Sequence, residues 1–222
     1  MRRKLFNHKL VTPIELTTEN IDNKRYYVLP DGNKLKSVAT VLSEKSDKTF
    51  LENWKKRIGK EESQKIVAQA NRRGTSIHSL AERYLMNEEN YIDNEMPVNV
   101  DTFNQLKPYL DKYVDIIYGL ELPLFSKILK TAGRTDLVAK YMGVNSIVDF
   151  KTSKKIKKEE WIQNYFMQAT VYSMMFEYHY KIKIPQIVIM MAVDHDHPQI
   201  FVRNRKDYVE QVIEMFNGDY NE

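Results

Sequence analysis

Cysteine is absent from the 222 residues. Disulfides, thiolate-bound zinc and four-cysteine iron–sulfur clusters are therefore excluded, and a reducing compartment fits without being required. No apolar run approaches the roughly 18 residues that a membrane-spanning helix needs. Glycine and proline are scarce, seven of each, and neither a low-complexity linker nor an internal repeat divides the chain. Charge of one sign is lacking as well. A net +4 and a pI near 8.9 lean only slightly towards polyanions, because a local patch decides binding and an average does not. The opening Met1-Arg2-Arg3-Lys4 is basic, but no apolar stretch follows it, and Glu15, Glu19 and Asp22 are wrong for a transit peptide. The cytoplasm, or a host's cytoplasm for a viral protein, is the expected location. With 42% hydrophobic residues the chain can bury a sizeable core, and one domain over 1–222 is expected.

The most informative stretch runs from Gly133-Arg134-Thr135-Asp136 to Ile147-Val148-Asp149-Phe150-Lys151. Two apolar runs, Leu137 to Tyr141 and Ser146 to Phe150, flank Met142-Gly143-Val144-Asn145, which predicts two antiparallel strands joined by a tight turn. Asp136 opens the first strand and Asp149 closes the second, so both carboxylates reach the same end. Lys151, two residues on, shares a face with Asp149. Paired carboxylates repel one another unless a cation neutralises them, and Mg²⁺ or Mn²⁺ is held by such oxygens together with substrate phosphate. A nearby lysine would hold or deprotonate the attacking water and offset charge building on the phosphate. An Asp-x-Lys at a strand end is also a common, inert feature.

A second pattern follows. Trp161, Tyr165, Gln168, Tyr172 and Met175 recur at three- and four-residue steps in a helical run from Glu159 to about Tyr180, which puts them on one face. A buried glutamine without a partner costs a few kcal/mol, so Gln168 must meet something polar.

The order Gly-x-x-Asp, Asp-x-Lys-Thr, then Trp-x-x-x-Tyr-x-x-Gln-x-x-x-Tyr resembles the PD-(D/E)XK nuclease superfamily and, within it, the RecB-like exonucleases. The resemblance implies that Asp136 and Asp149 bind the divalent metal, with the Phe150 carbonyl as a further ligand. It also implies that Lys151 assists the nucleophilic water, and that Gln168 and Tyr172 steady the site or the DNA. The second acid is Asp149 where many relatives carry Glu. Ser37-Val38-x-Thr40-Val41-Leu42, Trp54 and Gly74-Thr75-x-x-His78 resemble the mitochondrial genome maintenance exonucleases and related phage nucleases, which extends the likeness from about Tyr26 to Val193.

Upstream, Tyr26 to Lys36 predicts a small hairpin turning at Asp31-Gly32. Ser37 is placed to cap a helical turn through Val41 and Leu42. A helix from Phe50 to Ile58, broken by Gly59, precedes a longer one from about Glu61 to Met86. On the longer helix Gly74, His78 and Glu82 share a face beside an apolar stripe of Ile66, Ala70, Ile77, Ala81 and Leu85. Glycine inside a helix costs about 1 kcal/mol relative to alanine, which suggests a close approach at Gly74. His78 has two readings. It is a partly buried histidine satisfied by Glu82, or, as the resemblance implies, a metal ligand or phosphate contact.

Residues Asn87 to Asn99 read as a loop, and Asp101 to Tyr118 as a helix with Phe103, Leu106, Leu110, Val114 and Ile117 inward. Glu121 precedes a predicted strand, Leu122 to Ile128. It is either a solvated strand-end acid or, as in relatives, an acid bordering the metal. The loop Lys151 to Lys158 leaves straight from the proposed centre, so Thr152, Ser153, Lys154 and Lys155 are candidate contacts to a DNA backbone, with Arg72, Arg73 and Arg134 extending the track. Ile187 to Val193 reads as a buried strand. Asp194-His195-Asp196-His197-Pro198 reads as a turn rather than a second metal site. An edge strand at Ile200 to Arg203 and a helix from Asp207 to Phe216, stopped by Gly218, complete the chain.

The expected architecture is α/β. A restriction-endonuclease-like core (about 120–222) with a mixed sheet flanked by helices carries an N-terminal hairpin and helical lobe (about 1–119) over the site. The expected activity is Mg²⁺- or Mn²⁺-dependent hydrolysis of DNA, as an exonuclease on single-stranded ends. A structure-directed or restriction-type endonuclease and a catalytically inactive DNA-binding recombination subunit are the alternatives.

Overall fold

A computed structural model describes residues 4–22 and 24–216. The chain opens on a two-residue strand β1 (Asn7–His8), followed by β2 (Thr17–Ile21), β3 (Lys24–Val28) and β4 (Lys34–Ser37). The β3–β4 hairpin turns at Asp31-Gly32, where Asp31 Oδ1 accepts the Asn33 N–H at 3.0 Å and Gly32 takes φ 83°. Ser37 then caps α1 (Val38–Lys45), its hydroxyl accepting the Thr40 N–H at 3.1 Å, which satisfies one of the free amides of the first turn. Helices α2 (Thr49–Ile58) and α3 (Lys60–Leu85) follow, separated by Gly59 at φ 88°. All of these elements match the sequence pattern to within about three residues except β1 and β2, which the apolar pattern does not mark.

The next segment differs from the pattern. Instead of one helix over Asp101 to Tyr118, the chain forms α4 (Pro97–Asn104), α5 (Lys107–Tyr113) and a long strand β5 (Val114–Ser126). Proline starts helices readily because its missing N–H would be unpaired there anyway. Pro97 therefore opens α4, inside the stretch expected to be a loop, and Pro108 sits in the first turn of α5. Val114-Asp115-Ile116-Ile117-Tyr118 is β-branched and aromatic, and it fits a pleated surface better than a helix. Phe103, Leu106, Leu110, Val114 and Ile117 are all buried, so the apolar spacing located the core but not the backbone form.

The remainder is β6 (Thr131–Tyr141), β7 (Val144–Ser153), a 3₁₀ turn at Glu159–Trp161, α6 (Gln163–Tyr180), β8 (Gln186–Val193), β9 (Gln199–Asn204), a second 3₁₀ turn at Arg205–Tyr208 and α7 (Val209–Phe216). Gly218, expected to stop the last helix, lies outside the described residues.

The strands form one mixed sheet in the order β2-β3-β4-β6-β7-β8-β9, with β5 on β6 and β1 on β5. Parallel pairs (β4–β6, β7–β8, β1–β5) interrupt antiparallel ones. Helices cover both faces. Ile147, Ile187 and Ile189 pack with Phe166, Val171 and Phe176 of α6, while Val148, Val188 and Met190 pack with Ile77, Leu80 and Tyr84 of α3. This alternation along β7 and β8 is the period-2 signature of a sheet buried on both sides. Because β4 pairs with β6, the N-terminal hairpin belongs to the same sheet as the C-terminal half. No helix among the described residues is long and apolar enough to cross a membrane.

Candidate active site

The β6–β7 turn is tighter than the sequence suggested. Only Met142 (φ 53°) and Gly143 (φ 81°) form it, the two-positive-φ geometry that matches strand twist, and Val144 and Asn145 join β7. The ladder runs from Tyr141↔Val144 to Leu137↔Val148, which leaves Asp136 facing Asp149 at its open end. There the Phe150 N–H turns to a side chain and donates to Asp136 Oδ2 at 2.8 Å. On the other side of β6, the pairs Leu120↔Leu137 and Leu122↔Thr135 bracket Glu121. Glu121, Asp136 and Asp149 thus form a row across three neighbouring strands. Glu121 holds φ 44°, a backbone state unusual for a non-glycine residue and typical of functional positions.

His78 reaches this row from α3. Its Nε2 donates to the Phe150 carbonyl at 2.9 Å, and its Nδ1 lies 3.3 Å from Asp136 Oδ1 and 3.8 Å from Glu121 Oε1. The pairing with Glu82 that the sequence also allowed is not made. Ligand atoms of His78, Glu121 and Asp136 all lie within 4.8 Å of one another. Imidazole and carboxylates of this kind suit a divalent cation, and the bond from Nε2 to a backbone carbonyl leaves Nδ1 as the coordinating nitrogen. The Phe150 carbonyl, expected as a further ligand, accepts from His78 Nε2 and so orients that ring.

Asp149 is turned to the other half of the site. Lys151 Nζ lies 2.5 Å from Asp149 Oδ2 and donates to Gln168 Oε1 at 3.2 Å. The Tyr165 ring sits 5.0 Å from the same ammonium, a contact that the helical stripe contained but did not declare. Gln168 thereby finds the polar partner its position demanded. Asp149 Oδ2 is buried and, apart from the lysine charge, accepts no well-formed hydrogen bond, so it retains capacity for a cation.

Burial works against charge here, and neighbouring charges answer it. Burial pulls His78 down, but the hydrogen bond and charge of Asp136, with Glu121, lift it to about 10. Burial pushes Asp136 up, yet His78, Lys151 and the Phe150 N–H hold it below the usual carboxylate range. Asp149 rises to about 6, from burial first and then from Asp136, against the pull of Lys151. Burial lowers Lys151, but Asp149 and Asp136 outweigh it and keep the ammonium charged. At neutral pH the site is an alternating array of charges.

Tyr172 completes the wall. Its hydroxyl bonds to Gln168, and burial keeps it neutral. Its ring lies on Gly133, where an added Cβ would meet the Tyr172 oxygen at 2.5 Å and Cε1 at 2.7 Å. We expect Gly133→Ala to cost about 1–3 kcal/mol, which lowers Tm by roughly 2–10 °C for a chain of this size. Thermal denaturation checks it, and an unchanged Tm would show that the ring moves aside freely. Gly74 is different. Among the described residues nothing lies within 4 Å of where its Cβ would be, so no close approach is made there by them.

The candidate strand contacts are spread out. Arg72, Arg134, Lys154 and Lys155 are exposed and carry no ion pair among the described residues. Arg73 is tied to Asp194 in an ion pair. Ser153 is buried and its hydroxyl donates to the Lys155 carbonyl at 2.7 Å, while Thr152 is half-buried. The Asp194–His197 stretch is a turn, with His195 at φ 56°.

No family model matches the chain. Mitochondrial genome maintenance exonuclease 1 of Mus musculus is 26% identical over 132 residues, which is 56% of this chain and 39% of that protein. Over that stretch the chain is similar to an exonuclease. Two facing aspartates and a lysine two residues beyond the second are consistent with the PD-(D/E)XK nucleases. The chain thus matches well under half the length of the mouse enzyme. A candidate exonuclease of known structure from Eubacterium rectale aligns at 16% identity with a TM-score of 0.47, over 68% of this chain and 64% of its own.

Proposed function

We infer that the chain hydrolyses DNA phosphodiester bonds with the help of a divalent cation, acting as an exonuclease from single-stranded ends. The observation that carries this reading is the Lys151 ammonium fixed between the Asp149 carboxylate and the Gln168 amide, beside the His78–Glu121–Asp136 group. His78, Glu121 and Asp136 would hold the cation, with Asp149 next to them. A cation bound there would act as a Lewis acid on the phosphoryl oxygen and neutralise its charge. Lys151 orients the attacking water and offsets the charge that grows on the phosphate. Gln168 keeps the ammonium in place, and Tyr172 keeps Gln168 in place. An imidazole among oxygen donors favours Mn²⁺ over Mg²⁺, because Mn²⁺ accepts nitrogen more readily. The mouse exonuclease, by its name, acts in genome maintenance, and that supports DNA as the substrate.

The test is digestion of end-labelled single- and double-stranded DNA, and of closed single-stranded circles, with Mg²⁺, Mn²⁺ or EDTA. Release of label from linear strands only, dependent on a cation, is expected. Cutting of the circles would make the protein an endonuclease, and cleavage undiminished by EDTA would remove the cation from the reading.

Cation binding should also release a proton. At pH 8 the His78 ring, with a pKa near 10, is protonated, and Nδ1 can coordinate only after losing that proton. Affinity should therefore rise up to about tenfold per pH unit between roughly 6 and 10, and fall more steeply below 6, where Asp149 also takes up a proton. Titration calorimetry in buffers of different ionisation enthalpy reports the proton directly. Binding without proton release would take His78 out of the ligand set.

A further inference from the structure

Between Ser46 and Arg73 the chain leaves the body of the protein and returns. Of the described side chains from 49 to 72, only Trp54, Ile58, Ser63 and Ile66 are withdrawn from solvent, and α2 packs against α3. Both ends of this arm are pinned. At one foot, Ser46 Oγ accepts from Asn164 Nδ2 at 2.8 Å, next to the Tyr165 ring that faces Lys151. At the other, Arg73 pairs with Asp194, whose N–H donates to the Ser153 carbonyl at 3.0 Å. One foot thus touches α6 next to Tyr165, and the other is tied through Asp194 to the end of the strand that carries Asp149 and Lys151. With about 1.5 Å per helical residue, each helical limb of the arm is roughly 15–20 Å long. A cleft of about 1120 Å³ lined by Asn71, Arg72, Arg73, Met96 and His195 opens beside the second foot.

The arm is a strongly basic stretch, as is the Lys151 to Lys158 loop at the site itself. Residues 48–73 hold eight Lys and Arg against three Glu, a net +5, whereas the whole chain carries +4. Lys55, Lys56 and Arg57, on the last turn of α2, are exposed and make no ion pair among the described residues. Leu51 on α2 and Val67 on α3 are 43% and 42% exposed on the same arm. Basic surface interleaved with exposed apolar side chains fits an unpaired strand, which offers phosphates and bare base faces together; a duplex hides those faces in its stack.

We propose that the α2–α3 arm is a strand-holding element that grips one nucleic-acid strand across the mouth of the site. Lys55, Lys56 and Arg57 lie on phosphates, and Leu51 and Val67 lie on bases. This rests on the nuclease reading above. Anisotropy of a fluorescein-labelled 20-nucleotide oligothymidylate, titrated in EDTA over a range of salt, tests it without catalysis. The triple variant Lys55→Glu/Lys56→Glu/Arg57→Glu should bind at least about tenfold more weakly, and its plot of log affinity against log salt should be shallower by about 2, since each phosphate contact on a single strand contributes roughly 0.7. The neutral variant Lys55→Gln/Lys56→Gln/Arg57→Gln should lose affinity less but change the slope similarly, with Tm unchanged. A control set, Lys140→Glu/Lys181→Glu/Lys183→Glu, clusters at the far end of the β6–β7 hairpin, where Asn145 Nδ2 donates to the Lys183 carbonyl, and should bind like the parent. Wild-type affinity and slope in both arm variants, or an equal loss in the control, would overturn the arm as the strand site while leaving the nuclease reading intact. A parent chain that binds no strand at all would overturn both.

Discussion

Lys151→Ala is expected to lower kcat by about 10²–10³-fold or more, the loss that follows removal of one preorganised donor from a developing anion, while affinity for a single strand in EDTA stays within about twofold. The ammonium is largely buried, and its contacts are Asp149, Gln168 and the Tyr165 ring. It therefore meets substrate only where the reacting phosphate would sit, and removing it should spare the surface that grips the strand. An orphaned buried charge costs about 3–5 kcal/mol, but Asp149, already at about 6, would escape by taking a proton. The stability loss should accordingly be smaller than that figure. Single-turnover kinetics with labelled DNA separates the effects, and cleavage at the parental rate would sink the role assigned to this lysine.

Asp136→Asn should strike the cation instead. Asp136 accepts from the Phe150 N–H through one oxygen and faces His78 Nδ1 with the other. An amide has one accepting atom, so one of those two partners is left opposed by an N–H group. Loss of an outer contact to a bound metal commonly costs 10–100-fold in affinity, and loss of a charged ligand should cost at least about 100-fold. The His78 ring, deprived of the group that chiefly lifts it, should titrate well below 10. Calorimetry for the cation and NMR of the histidine ring measure the two effects separately. Unchanged cation affinity would show that the site lies elsewhere.

The sequence disclosed most where a short pattern governed a local geometry. Met142-Gly143 with flanking apolar runs dictated the hairpin, and the hairpin brought Asp136, Asp149 and Lys151 to one end. The Gln168 stripe was legible because a polar residue in an apolar row needs a partner. Val114 to Tyr118 misled, since Val114 and Ile117 continue a helical spacing as readily as they fit a strand, and only pairing with β6 decides between them. Glu121 read as an ambiguous strand-end acid because its role depends on a neighbouring strand and on a positive φ, neither of which local spacing encodes. Gly74 suggested a close contact that no described residue makes. The grouping of His78 with Glu121 crosses from a helix to a sheet more than 40 positions away, and no period could announce it. The bond from His78 to the Phe150 carbonyl is hidden for the same reason.

The bond between His78 and Asp136 also separates assembly from activity. With no metal bound, the protonated ring serves as a placeholder, a cation supplied by the chain itself that quiets the carboxylates crowded beside it. The fold is therefore expected to form without an ion, unlike a zinc finger. A chelator should leave this protein standing and merely idle, and reloading should require a proton to leave rather than a chain to refold.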